Sequence, residues 1–530
     1  MNHRYGKKGQ AVLLVVVAMG IFLIGALGLA IDVSQLFGQQ QMAQVAADAA
    51  AQAAMLSIFQ GVNDPTKAGS ATNFPITGFK CTDYPNSTPC RYARMNGFGN
   101  GDTVAVSFPT CPLGGSICAS TTPNEVQVTI TRSVSNGLIR MVGGSAFTSI
   151  GATAIAATLD VVAPVPILIL HPNFPDTLSG NGNFTVAITG GPSRSIQVNS
   201  SSTSAGNAYS QKGGSGKIDL HLAGPNGDGA DFGIFGGPTS KPTTIITGAG
   251  TYQQPASPLA DPLLFVKYPG SLGDPAIPVG TFKTVKSSDS PNYGCTGTSC
   301  TLYQPGSYPN GLYIKTDTAI FQPGVYVMNG STKDGNKQIA FGIGAGGHMQ
   351  TCVVLSAGKP AGWPSVGAGC VADPNLDATG HSITGNGMLV YNNSVGNAGT
   401  FDISANGSAF LEGTPEVDVS GNPTRYAGIL LFENHALPAA THNLGGNGSV
   451  ELLGTVYITN TVSTILASPG FNQFQTVHYQ GTPGSTTLLI GMIITDELSL
   501  GGDATINMQL ESMAFLKIQQ VALVGGGPHS

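Results

Sequence analysis

The chain has 530 residues, of which 9% are charged, with 22 Lys plus Arg against 28 Asp plus Glu and a net charge of −6. Soluble domains usually carry about 25% charged residues; with so few, and no basic run beyond the N-terminal tip, the field needed to read a nucleic-acid backbone is excluded. Glycine, at 74 residues, is about twice its average share and points to an exported, sheet-rich, turn-rich body.

Residues 1–10 form a basic tip with Arg4, Lys7 and Lys8, and Ala11 to Ile31 is an unbroken run of 21 apolar or small residues. At about 1.5 Å per residue that run makes a helix of roughly 30 Å, the thickness of a hydrocarbon core. Lys and Arg before it, with Asp32 and Asp48 after it, put the tip in the cytoplasm and the remainder on the far side of the membrane. A cleaved signal peptide has an apolar stretch of only about 7–15 residues, so a retained single-pass anchor over 11–31 is expected. Through 32–62, Val33, Leu36, Phe37, Val45, Ala46, Ala49, Ala50, Ala53 and Leu56 recur at helical spacing and predict that the rod continues outward.

Residues 63–160 read as a small α+β head. Thr103 to Phe108 alternates, Glu125 to Ile130 places Val126, Val128 and Ile130 on one strand face, a short amphipathic piece covers Leu138 to Val142, and a small-residue strand runs from Ala146 to Ala157. Pro164 and Pro166 mark the exit, since neither suits a helix interior or a central strand.

From 161 to 530 a turn followed by a short alternating run recurs, beginning at Ser179, Thr384, Ser404, Gly445 and Gly501. Asn-Gly turns the chain through positive φ, and the alternating residues supply a strand. The intervals are too long and irregular for a hairpin meander. They predict a mainly β domain wound as a large right-handed parallel β-helix with coils of about 20–30 residues, in preference to a β-sandwich or jelly roll.

The cysteines fall as sequence neighbours, Cys81 with Cys90, Cys111 with Cys118, Cys295 with Cys300 and Cys352 with Cys370. In an oxidising compartment this spacing suggests local disulfides that staple loops. No C-x-x-C occurs and no His stands at zinc spacing, so neither metal nor other cofactor is expected.

Catalysis on a β-helix needs converging carboxylates. Candidates are Asp228 with Asp231, Asp402, Glu412, Glu416 with Asp418, Glu433 with His435, and Asp496 with Glu497; with few basic partners they read as solvated corner residues, and no enzyme is expected. Asn226, Asp228 and Asp231 sit in a glycine turn with oxygen-ligand character; as a single partial motif it reads as a solvated turn before a calcium site. His435 and His442, seven apart across a proline, read as loop residues, and Trp363 as the anchor or contact of a loop between Cys352 and Cys370.

The Gly9-Gln10-Ala11 entry, the single span, the Asp32-Val33 exit and the block Ala46 to Ala51 together resemble the TadG-like family of Flp (tight-adherence) pilus assembly. Val126 to Ala157 resembles the head of TadE- and TadG-like proteins. Gln197 to Ser204, Asp261 to Leu263, Gln322 to Asn329, Tyr426 to Phe432, Gly454 to Ile458 and Gly491 to Leu510 resemble the long C-terminal part of TadG-like chains. Leu14 stands five residues after Gly9, where prepilin peptidase substrates usually carry Glu. No Asp-x-Ser-x-Ser pentapeptide occurs, so a von Willebrand type A metal site is not implied.

The resemblance implies a membrane-anchored, exported structural component that works with the Tad/Flp machinery. Asp32, Ala49, Ala50 and Ala53 are expected on the assembly helix, where small residues permit close packing against pilin-like partners. A glycan-binding surface adhesin is the alternative, and a polysaccharide lyase or hydrolase stands behind it.

Overall fold

The computed structural model describes residues 7–60, 62–99, 101–109, 125–137, 145–162, 165–203, 206–264, 266, 268–270, 277–285, 300–351, 387–396, 399–403, 407–414, 426, 428–446, 448–460, 474–482, 486–510 and 517–529. The protein is mainly β, with a long apolar helix at its N-terminus. It divides into two compact units, residues 1–159 with 520–530, and residues 160–519.

In the first unit, helix α1 runs unbroken over Lys7–Phe59. No proline interrupts it, and Ala, Leu and Gln, all good helix formers, dominate its second half. Strands β1 (Phe79–Lys80), β2 (Thr103–Ser107), β3 (Glu125–Ser135) and β4 (Phe147–Val162) form an antiparallel sheet in that order, and helix α2 (Thr88–Met95) packs on α1. The sheet's inward face carries Val126, Val128 and Ile130 of β3 with Ala152, Ala154 and Ala156 of β4. These form one core with Ala43, Ala46, Ala47, Ala50, Ala51 and Ala54 of α1. Alanine on both sides lets helix and sheet approach closely, and the methyl-on-methyl contact excludes water. The residues expected as a short amphipathic piece, 138–142, lie outside the described residues.

The sheet is completed by the last strand, Lys517–His529, which pairs with β4. The expectation that everything from 161 onward belongs to the body is corrected here, because the whole second unit is inserted between two neighbouring strands of the head. Without that strand β4 would be an open edge with unpaired N–H and C=O groups.

Among its described residues the second unit contains an eleven-, a ten- and a nine-stranded sheet. Nearly all pairings are parallel, and successive strands rotate between the sheets: Ile167–Ile169 lies in the ten-stranded sheet, Leu178–Gly182 in the nine-stranded, Thr185–Gly190 in the eleven-stranded, and Arg194–Val198 returns to the first. One row of aligned buried residues, Tyr326, Val390, Leu431, Val456, Ile493, Ile167, Ile196 and Phe232, passes through the ten-stranded sheet.

Where the recurring turn motif falls on described residues, at 179–182, 445–446 and 501–502, it marks one corner; its starts at 384 and 404 lie outside the described residues. Gly446, Gly481, Gly502 and Gly182 stack in register there. Gly182 (φ +99°) must be glycine, since a Cβ on it would stand 2.5 Å from the carbonyl oxygen of Gly502. Beside them Asn183 donates to Asp503 Oδ1 at 2.9 Å and accepts from the N–H of Ser215 at 2.9 Å, tying three levels together.

The chain does not fill the stack from one end. Ile167–Ile169 enters in the middle, between Arg194–Val198 and Ile493–Thr495. The chain builds outward to Tyr252–Gln253, and then resumes at the opposite end with Gly306–Tyr308 and works back. The return segment crosses the intervening levels. Leu259 exchanges two hydrogen bonds with the Asn199 side chain (2.7 and 2.9 Å), Tyr457 Oη donates to Asp261 Oδ2 at 2.7 Å, Tyr268 stacks on Tyr391 at 6.1 Å, and Gly280 N–H bonds Ser307 at 2.9 Å.

Candidate functional site

The face that α1 presents changes along its length. From Val12 to Ile31 its large apolar side chains are exposed, and the helix is long and apolar enough to cross a membrane. At Asp32 the surroundings invert. This carboxylate is 3% exposed, and its Oδ1 accepts from Gly137 N–H at 3.2 Å, just past the end of β3. Beyond it, Val33 (54% exposed), Phe37 (60%) and Val45 (59%) stay open on the outer side while the alanine face is covered by the sheet.

The alanines expected at a helix–helix interface are therefore placed differently. Ala50 is fully buried against the chain's own sheet, and Ala49 and Ala53 are half-buried at its margin. The small-residue stripe serves close helix-on-sheet packing within the head. The apolar side chains left exposed on this half of the helix are Val33, Phe37, Met42 and Val45, which the emphasis on alanine missed. The helical spacing groups Val33, Phe37 and Val45 with the alanines and gives no signal that separates them.

Arg132 and Asp102 brace the head beside this helix. Arg132 makes a forked ion pair with Asp102 (2.7 Å to each oxygen), reaches Gln39 of α1 at 3.2 Å and lies 3.8 Å from the centre of the Phe98 ring. Although burial opposes it, hydrogen bonding from Arg132 and from Gly99 N–H holds the Asp102 carboxyl below its ordinary range.

Cys81 and Cys90 form a disulfide that ties β1 to α2. Cys300 is also disulfide-bonded. Cys111, Cys118, Cys295, Cys352 and Cys370 lie outside the described residues, as do Trp363, Glu416 and Asp418.

The acidic candidates are dispersed. Asp231 accepts from Thr251 N–H and Oγ1 (2.8 and 2.9 Å) and from Gln253 Nε2 at 2.7 Å, whereas Asn226 and Asp228 point into solvent, so the three do not converge. Among the described residues no group of three or more His, Cys, Asp or Glu is placed to hold a metal. Asp402 is buried and bonded to Lys337 Nζ at 2.6 Å.

Glu433, Asp496 and His442 lie in the interior, not on solvated corners. Asp496 accepts from the N–H groups of Asn460 and Gln475 at 3.0 Å each and from Thr459 Oγ1 at 2.5 Å. Glu433 Oε2 is 3.2 Å from His442 Nε2, and burial pushes this carboxyl up despite the histidine. His442 Nδ1 accepts from Phe401 N–H at 3.1 Å, so Nε2 carries the ring proton toward Glu433 and Gln475. The loop reading of His442 is thus corrected: it is a fully buried strand residue. Its apolar neighbour Leu444 two positions on was the available signal. His435 does pack at a loop, against Phe432 and Tyr457, where burial lowers it to about 4.

These features define a mainly β protein carrying one long apolar helix whose first half is bare and whose second half is built into a small head. Residues 9–57, almost the whole of that helix, match the Tad family model, "Putative Flp pilus-assembly TadE/G-like". Among solved structures the chain is similar to the competence-associated pilin ComZ from Thermus thermophilus, at 9% identity over 81% of this chain and 83% of that one. The TM-score is 0.19, too low for a shared fold to be read from it. No curated protein matches the chain.

Proposed function

We propose that this protein is a non-catalytic, membrane-anchored component of a Tad/Flp pilus apparatus, with its tip in the cytoplasm and its body exported. The observation that carries this reading is the coincidence of the TadE/G-like match over residues 9–57 with a helix bare from Val12 to Ile31 and enclosed from Asp32 onward. The exposed stripe Val33, Phe37 and Val45 is the surface offered to pilin-like helices.

The body is read as a parallel β-helix. Parallel pairing and rotation of successive strands through three sheets support that reading over a sandwich or jelly roll, whose neighbouring strands are antiparallel. A structural role is supported by the acidic groups, since Asp402, Asp496 and Asp231 are each held in hydrogen bonds that knit neighbouring levels.

One observation favours a second, adhesive reading. Asn443, His478, Ser499 and Ser179 align along the nine-stranded sheet with their side chains partly open, a polar strip suited to a glycan. Fractionation of cells followed by N-terminal sequencing tests the main reading. An intact N-terminus in the inner membrane is expected for a fixed assembly component, and recovery as a soluble protein lacking residues 1–31 would refute the anchor.

A further inference from the structure

We infer that the head makes a second contact with the lipid bilayer, through Phe147 at the start of β4. This rests on the reading of α1 as a membrane span. Gln44 Nε2 donates to the carbonyl oxygen of Thr153 at 3.2 Å and so ties β4 to α1 twelve residues beyond Asp32. Those residues rise about 18 Å along the helix. From Thr153 back to Phe147 the strand descends six residues, about 20 Å. Phe147 therefore lies at the height of Asp32. The hydrogen bonds of Gly137 to Asp32 and of Asn136 N–H to the carbonyl of Ala146 (2.9 Å) place the same end of the hairpin there independently.

That height is where the bare stretch of α1 ends. Val12 to Ile31 is exposed and apolar, about 30 Å of helix, which matches the hydrocarbon thickness. Phe147, 61% exposed, is thus held at the boundary between hydrocarbon and headgroups. There an apolar ring gains by burial, and polar neighbours such as Ser135, its cross-strand partner, and Ser145 remain hydrated. Lipid is the occupant because the span itself brings the bilayer to this level. Anchoring at two points would fix the tilt of the head, which a single helix leaves free.

The test uses the full-length chain in phosphatidylcholine vesicles with its one native tryptophan removed (Trp363→Phe) and a reporter introduced as Phe147→Trp, or as Leu23→Trp within the span. Lipids brominated near the headgroup should quench Phe147→Trp at least about twofold more than lipids brominated near the chain ends, with the order reversed for Leu23→Trp. Quenching of Leu23→Trp with none at Phe147→Trp would overturn this inference and leave the anchor standing. Absence of quenching at both would overturn the anchor and the inference together.

Discussion

Oδ1 of Asp32 accepts a hydrogen bond from the backbone N–H of Gly137 at 3.2 Å, across 105 residues of sequence. It joins the helix to the end of β3 at the level where α1 passes from exposed apolar surface to head core. Leucine in place of Asp32 would remove the acceptor and leave the exposed Gly137 N–H to water, a loss of about 0.5–1.5 kcal/mol; asparagine keeps an acceptor. Amide exchange at Gly137 should accelerate in Asp32→Leu and change little in Asp32→Asn. Equal protection in both variants would mean that the contact does not hold the hairpin.

The alanine face gives a prediction with a gradient. Ala50 is fully enclosed between α1 and the sheet, while Ala49 is half-buried. Ala50→Leu should destabilise the head by about 1–3 kcal/mol through overpacking, and Ala49→Leu by clearly less. Thermal unfolding in detergent checks the order, and the reverse order would restore these alanines to a partner interface.

The disulfide between Cys81 and Cys90 closes a short loop with a sequence separation of 9. Loop-closure entropy sets its contribution at about 2–3 kcal/mol. The double variant Cys81→Ser, Cys90→Ser should lower the unfolding midpoint of the head accordingly, and an unchanged midpoint would remove the staple role.

Two buried groups pull stability in opposite directions with pH. Burial lowers His171 from 6.5 to about 3, so the unfolded chain binds its proton first, and stability falls as pH drops from about 6.5 toward 3. Burial raises Asp261 from 3.8 to about 6 despite the bond from Tyr457. Here the folded chain binds its proton first, so the contribution is present below 3.8 and is lost as pH rises through 6. His171→Gln should flatten the acid limb of a stability–pH profile. Asp261→Asn should gain on the wild type between pH 4 and 7; parallel profiles for all three proteins would contradict both assignments.

Local pattern revealed much of this architecture. The twenty-one-residue run and the alanine spacing after it became one helix, Lys7–Phe59. The alternation of Val126, Val128 and Ile130 became the buried face of β3, and the Asn-Gly repeats became a corner because only glycine fits so close to the carbonyl below it. What stayed hidden is non-local. Nothing periodic shows that Lys517–His529 pairs with β4, or that Ile167–Ile169 enters the stack in its middle, because strands of similar apolarity have no local rule for choosing neighbours. Glu433 and His442 looked like corner and loop residues because charge alone suggests water. Only the folded levels supply the partners that let them be buried.

The central claim is that the apolar helix seats this chain in a pilus apparatus. Counting Flp-type pili by electron microscopy, in cells lacking the chain and in cells complemented with it, tests that most directly. Pili should disappear on deletion, return with the intact chain, and fail to return with a chain whose residues 9–57 are replaced by an unrelated membrane anchor. Undiminished pili in the deleted cells would contradict the account.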